Sequence, residues 1–206
     1  MQRLIDFPAD AFFFDFDGTL GDTSGGIKAG WRKTLEELGI SCPDFESIFR
    51  VGPPPETMIK SLLPDAPAEL QLRCVNTYKR IYDNSAMDGE KPYPWSRDIL
   101  QKLKEREKKI YVVTYKRLKS TLTLIERYKF SHFFSGIYTA DIIPGVPLLS
   151  KSELLKLAVR ISGVPADRCI MIGDTEMDIQ AGKDAAIHTC GVSWGYGDPA
   201  GAEFII

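Results

Sequence analysis

Apolar and polar positions give this chain two textures. Ala11-Phe12-Phe13-Phe14 is a short aromatic run, too brief for a free-standing helix, and it predicts a buried strand near the start. From Ser24 to about Gly89 the apolar spacing is helical, and no convincing strand pattern interrupts it. Ser24–Leu38 places Ile27, Trp31, Leu35 and Leu38 on one face, with Ser24 to cap it and Gly39 to end it. Pro53-Pro54-Pro55 breaks regular structure before a short helix over Glu56–Leu63. Ala68–Ala86 predicts a longer helix, with Leu72, Val75, Tyr78, Ile81 and Tyr82 at helical spacing.

Past the stiff linker Pro92-Tyr93-Pro94-Trp95, strands and helices alternate. Helices are predicted over Ser96–Glu107, Leu118–Tyr128, Ser152–Ser162 and Glu176–Asp184. The first of these turns Ile99, Leu100 and Leu103 inward. The third carries Leu154, Leu155, Ala158 and Ile161 behind a cap at Ser150 or Ser152. Strands are predicted over Lys109–Thr114, Ile137–Thr139, Cys169–Ile172 and Ile187–Val192, and Asp141–Leu149 reads as a Pro- and Gly-rich loop. Such alternation implies parallel pairing through right-handed crossovers. The predicted fold class is therefore α/β, a doubly wound, Rossmann-like parallel sheet over residues 1–21 and 90–206. A small helical domain, residues 22–89, is inserted after the first strand.

Composition narrows the partners. The chain has 206 residues and a formal net charge of −2, which argues against nucleic acid or a membrane surface as the main partner. Lysines and an arginine cluster over Lys102–Lys109, but Glu105 and Glu107 interleave with them, as on a solvated helix face. Cys42, Cys74, Cys169 and Cys190 are scattered without a Cys-x-x-Cys pair, so free thiols in a reducing compartment fit better than disulfides or a zinc site. Met1-Gln2-Arg3 leads to Asp6 and Pro8 and not to a long apolar segment. No signal peptide or membrane span is expected, and the chain reads as cytoplasmic.

The chemistry gathers at strand ends. The first apolar run enters Asp15-Phe16-Asp17-Gly18-Thr19-Leu20, and on extended backbone residues i and i+2 point the same way, so Asp15 and Asp17 should converge. In open α/β sheets ligands bind at the carboxyl ends of strands. Two carboxylates about 4 Å apart repel by about 4 kcal/mol at an effective dielectric near 20, so the pair calls for a cation, a proton or both. Gly18 permits a tight turn and lets an anion approach backbone N–H groups. Thr114 ends a strand with a hydroxyl, and Lys151 opens a helix after a Pro/Gly loop; each is weak alone. Gly173-Asp174-Thr175-Glu176-Met177-Asp178 adds a strand-end acid and another one helical turn further on, able to point back.

In order, these residues resemble the four motifs of the haloacid dehalogenase-like hydrolase superfamily, in its phosphoglycolate phosphatase-like branch. Asp15-Phe16-Asp17-Gly18-Thr19-Leu20-Gly21-Asp22-Thr23 resembles the first motif, and the likeness extends from Ala11 to Gly197, including Ser193-Trp194-Gly195-Tyr196-Gly197. The helical insertion stands where such proteins carry a cap. The resemblance implies a phosphatase in which Asp15 attacks phosphorus and Asp17 serves as acid and base. It implies Mg²⁺ held by Asp15, Asp174 and the backbone carbonyl of Asp17, with Asp178 ligating the metal directly or orienting a water on it, and phosphoryl oxygens held by Thr114 and Lys151. Gly18, Thr19 and Tyr115 are expected at the substrate, with Tyr115 where relatives usually place asparagine; Ser152 likewise replaces the usual proline after the lysine. Arg50, the only cation of the Pro-stiffened loop Arg50–Pro55, is expected to recognise a substrate carboxylate. A small phosphorylated metabolite is the implied partner, and the protein is expected to be a monomer or homodimer. Dehalogenases and phosphonatases lack an acid at the position of Asp17 and are disfavoured. A phosphomutase resembling β-phosphoglucomutase, and a non-catalytic binding module on the same fold, stay as alternatives.

Overall fold

A computed structural model of the chain describes residues 1–86, 89–141 and 148–206. The elements begin with α1 (Gln2–Ile5), β1 (Ala11–Phe14), β2 (Gly21–Asp22), α2 (Ser24–Glu37), α3 (Phe45–Ile48), α4 (Pro55–Leu62) and α5 (Ala68–Ile81). They continue with β3 (Lys91–Pro92), α6 (Ser96–Glu105), β4 (Lys109–Thr114), α7 (Leu118–Arg127), β5 (Gly136–Thr139) and α8 (Lys151–Ser162). The last are β6 (Cys169–Gly173), α9 (Glu176–Asp184), β7 (His188–Gly191) and β8 (Phe204–Ile205). The chain forms two units, Met1–Asp22 with Lys91–Ile206, and Thr23–Glu90. It leaves the first unit along β2 and returns along β3, which pair antiparallel.

The first unit holds a six-stranded sheet in the order β5-β4-β1-β6-β7-β8, with every pairing parallel. Central β1 is buried throughout. Its odd residues Ala11 and Phe13 pack with Met171 of β6 and with Leu154, Leu155 and Ala158 of α8. Phe12 and Phe14 alternate to the other face and are equally buried. An unbroken apolar run is what a strand covered by helices on both faces requires, and each such side chain contributes roughly 1.5–3 kcal/mol on burial. Phe13 also stacks on its cross-strand partner Tyr111 at 4.9 Å. Register brings the strand ends level: Phe14 lies opposite both Val112 and Ile172. The chain fills the sheet on one side of β1 through β4 and β5, then crosses to β6 on the other, so the carboxyl end of β1 is the switch point.

The second unit is helical. Trp31 of α2 stacks on Tyr78 of α5 at 4.3 Å, and Tyr78 stacks on Tyr82. Pro55 opens α4 at its first turn, where a missing N–H costs nothing. Exposed ion pairs such as Lys79–Glu56 tie neighbouring helices together.

Several expectations shift. The helix expected over Ala68–Ala86 is α-helical only to Ile81 and continues as a π-helical turn over Tyr82–Ala86. Leu72 and Ile161, read as members of apolar faces, are 60% and 59% exposed, and Cys74 fills the position inside α5. The neighbours of α5 and α8 cover a narrower stripe of each helix than its apolar residues mark out. Helix α6 stops at Glu105 because Glu107 adopts φ 58° and Lys108 N–H closes back on Leu103 O. The short α1, α3 and β8 carry too few residues for periodicity to reveal. Most of the Asp141–Leu149 loop lies outside the described residues.

Candidate active site

The ladder of β1 runs one residue past the strand, through a 2.9 Å bond from Asp15 N–H to Ile172 O. Asp15 therefore keeps the orientation of Phe13, toward the face covered by α8 and α9. Lys151, the first residue of α8, meets it there: its ammonium lies 2.9 Å from Asp15 Oδ1 and 2.6 Å from Asp178 Oδ1. Ser150 holds that helix start through a capping box, with Glu153 N–H donating to Ser150 Oγ and Ser150 N–H donating to Glu153 Oε2. Asp178 is fully buried, and its Oδ2 accepts from Thr175 N–H and from Thr175 Oγ at 2.7 Å. Asp174, just past β6, accepts from Thr19 Oγ at 3.2 Å and from Tyr196 N–H at 2.8 Å.

One carboxylate oxygen from each of Asp15, Asp174 and Asp178 lies within 4.8 Å of the others. Like charges at that distance repel by roughly 3–4 kcal/mol per pair at an effective dielectric near 20. Burial, with Asp178 and Asp174 adding to it and Lys151 opposing, pushes the Asp15 carboxyl up to about 7. Asp174 is raised too, by burial first, against the Tyr196 N–H bond that favours its ionised form. Burial works against the charge on Lys151, but Asp15 and Asp178 outweigh it and hold the ammonium above the usual lysine range. The Oδ1 atoms of Asp15 and Asp178 are buried at ion-pair distance from Lys151 without an aligned hydrogen bond. Three convergent carboxylates against one ammonium make a donor set suited to a hard cation such as Mg²⁺.

Asp17 goes elsewhere. The chain leaves extended geometry after Asp15 and turns, with Phe16 O accepting from Leu20 and Gly21 N–H. Gly18 takes φ 77°, and a Cβ there would fall 2.3 Å from Asp174 Oδ2, so this turn needs glycine on both counts. The Asp17 carboxylate faces the Lys116 ammonium at 3.1 Å and contributes no oxygen to the group of three. The convergence of Asp15 and Asp17 inferred from strand periodicity is replaced by convergence among Asp15, Asp174 and Asp178.

Thr114 lies at the buried end of β4, its Oγ accepting from Lys116 N–H, and Tyr115 beside it is half-buried. The N–H groups expected to cradle an anion are engaged in the turn, Gly18 with Gly21 O and Thr19 with Phe16 O. Arg50 belongs to the helical unit, where its guanidinium donates to Ser47 O and Phe49 O. Two features escaped the sequence. Lys116 is one; a lysine two residues after a buried strand-end hydroxyl was its signal. Tyr196 is the other: besides its amide bond to Asp174, its hydroxyl donates to Asp22 at 2.8 Å, while neighbouring Trp194 donates its Nε1–H to Thr19 O.

Fold and site together define a doubly wound α/β protein with a cluster of buried carboxylates at its switch point. The chain belongs to the haloacid dehalogenase-like hydrolase family, whose sequence model matches residues 12–192. It is 30% identical to a phosphoglycolate phosphatase of Aquifex aeolicus over 185 residues, covering 89% of this chain and 84% of that one. It is 28% identical to a pyrophosphatase of Oceanobacillus iheyensis, covering 90% and 84%. A solved haloacid dehalogenase-like hydrolase from Streptococcus pneumoniae superposes with a TM-score of 0.82 at 27% identity, over 96% of this chain and 93% of that one. No helix among the described residues is long and apolar enough to cross a membrane.

Proposed function

We propose that this protein is a Mg²⁺-dependent phosphatase that hydrolyses a small phosphomonoester through an aspartyl-phosphate on Asp15. The observation that carries the reading is Lys151 set between Asp15 and Asp178, with Asp174 in reach of both. The names of the relatives support it, since they are phosphatases acting on small phosphorylated compounds. Asp15, Asp174 and Asp178, with the backbone carbonyl of Asp17, would hold Mg²⁺. When bound, it offsets negative charge on the phosphoryl oxygens.

The chain's own groups do the rest. An ionised Asp15 attacks phosphorus directly and needs no separate base. Lys151 and Thr114 hold the phosphoryl oxygens, and Lys151 also keeps the Asp15 carboxylate from being isolated in a buried site. As the bond from phosphorus to the leaving oxygen breaks, Asp17 gives that oxygen a proton; it then takes one from the water that cleaves the aspartyl-phosphate. Specificity is proposed to rest with the helical unit, including Arg50 as a carboxylate ligand, and with Gly18, Thr19 and Tyr115 at the phosphate. The four free cysteines fit a cytoplasmic setting.

Phosphate release from p-nitrophenyl phosphate tests this reading. Turnover should require Mg²⁺ and stop in excess chelator, and Asp15→Asn should retain less than about 1% of the rate while keeping its fold. Normal turnover by Asp15→Asn would overturn the assignment. Consumption of a sugar phosphate without phosphate release would favour a mutase.

A further inference from the structure

The chemistry above leaves a buried cation in the site without a task. Lys116 follows Thr114 at the end of β4, and its side chain is 4% exposed. Its ammonium lies 3.1 Å from Asp17 Oδ1 and 3.4 Å from Oδ2, so one cation faces both oxygens of the carboxylate. The backbone of Lys116 is held from two directions. Its N–H donates to Thr114 Oγ at 3.1 Å, and its carbonyl accepts from Thr121 Oγ at 3.4 Å. Burial of a lysine costs several kcal/mol unless a carboxylate compensates, so the position is maintained for its partner.

Asp17 needs such a partner more than the other acids do. It sits on a turn beyond the strand, its side chain is 18% exposed, and the next residue, Gly18, lies against Asp174 of the acceptor-rich group, where a Cβ would fall 2.3 Å from Oδ2. A carboxylate free to rotate there would join that group as a further ligand for a cation. It could then not deliver a proton to a leaving oxygen. We propose that Lys116 is a positioning residue: it holds the Asp17 carboxylate off the metal cluster and toward the leaving group. The inference rests on the phosphatase reading and adds to it the device that keeps the acid apart from the nucleophile. In the step concerned, an Asp15 oxygen bonds to phosphorus, the bond from phosphorus to the leaving oxygen breaks, and that oxygen takes the proton of a protonated Asp17, which ends the step as the carboxylate that Lys116 faces.

The test compares leaving groups. Phenyl phosphate leaves as a basic phenoxide that needs a proton, whereas p-nitrophenoxide leaves nearly unaided. Lys116→Met should lose about tenfold or more in kcat/KM on phenyl phosphate and less than about threefold on p-nitrophenyl phosphate. Asp17→Asn should show the same bias, and the double variant should lose little beyond Asp17→Asn alone. Lys116→Arg, which keeps the cation, should recover most of the loss. Equal losses on both esters would make Lys116 a phosphate-binding or purely structural residue and overturn the proposal, as would additive losses in the double variant. Should Lys116→Met fail to fold, Lys116→Arg and Lys116→Gln carry the same comparison, the glutamine showing the bias and the arginine not. A wild-type protein inactive on both esters would instead refute the phosphatase reading.

Discussion

Gly195 offers a severe check on the geometry of the carboxylate cluster. A Cβ at this position would lie 2.1 Å from Asp174 Cβ and 2.4 Å from its Oδ2, far inside van der Waals contact. Restoring an ordinary contact moves the loop or Asp174 by about 1.3 Å, in a packed interior that resists such shifts. The loop cannot retreat freely, because Tyr196 N–H, one residue on, donates to the same carboxylate at 2.8 Å. Gly195→Ala therefore forces a choice between overpacking, about 1–3 kcal/mol, and loss of a hydrogen bond to a buried charge, about 1.5–3 kcal/mol. For a chain of this size about 2 kcal/mol corresponds to a fall in Tm of roughly 4–8 °C. Displacing Asp174 by about 1 Å should also cost on the order of 100-fold in turnover at fixed Mg²⁺. Thermal denaturation with and without Mg²⁺, and initial rates across a Mg²⁺ titration, measure both effects. Gly25→Ala is the control: beyond its chain neighbours and the backbone of α2 itself, no atom lies within 4 Å of the added methyl, and helix propensity should leave Tm unchanged or slightly raised. If Gly195→Ala matches wild type in Tm and in Mg²⁺ requirement, the close approach of this loop to Asp174 is wrong.

Two further outcomes follow from the electrostatics. Lys151→Met strips a buried ammonium from Asp15 and Asp178 and should destabilise the metal-free protein by about 3–5 kcal/mol, with added Mg²⁺ recovering more Tm than it adds to wild type; a metal-free Tm equal to wild type would refute the pairing. The Asp15 carboxyl is raised in the folded protein from 3.8 to about 7, so its contribution to metal-free stability is fully present below about pH 4 and is lost as pH rises through about 7. That loss has a ceiling of about 4 kcal/mol. Because Mg²⁺ competes with that proton, the Tm gain from Mg²⁺ should grow from pH 5 to pH 8 (about that range), and a gain that is flat or falls with pH would contradict the buried cluster.

Strand β1, helix α9 and the pair Asp174 and Asp178 were legible because local signals agreed. An apolar run buried on both faces, a strand-end glycine and acids one helical turn apart each carry their own periodicity. The parallel pairing of the strands followed from alternation, whereas their order came from the fold. What periodicity could not give was the direction of Asp17, since the i, i+2 rule holds only while the backbone stays extended, and here it turns at Phe16. Nor could it separate Leu72 and Ile161 from the residues that do pack, because that depends on how much of each helix a neighbour covers. Tyr196 reaches Asp174 through its main chain, and a backbone amide leaves no mark in sequence.

The two lysines show most clearly where sequence stops and packing begins. Lys151 and Lys116 look alike in the sequence, each a cation beside a loop or strand end, and only the order of neighbouring motifs singled out the first. In the fold both are buried, with side chains 5% and 4% exposed; Lys151 lies between Asp15 and Asp178, and Lys116 meets Asp17, 99 residues away in sequence. A buried lysine is stable only beside a carboxylate, so burial divides the four acids into two sets: Asp17 with Lys116, and Asp15, Asp174 and Asp178 with Lys151. The first set faces one acid with one ammonium. The second sets three acids, two of them held toward the neutral form by burial, against one ammonium, an excess of acceptors that a divalent cation would meet. On the proposed reading, Mg²⁺ would be held by the carboxylates of the second set, with Asp17 contributing only its backbone carbonyl. A phosphatase of the proposed kind, with Asp15 as nucleophile and Asp17 as acid, would need that separation.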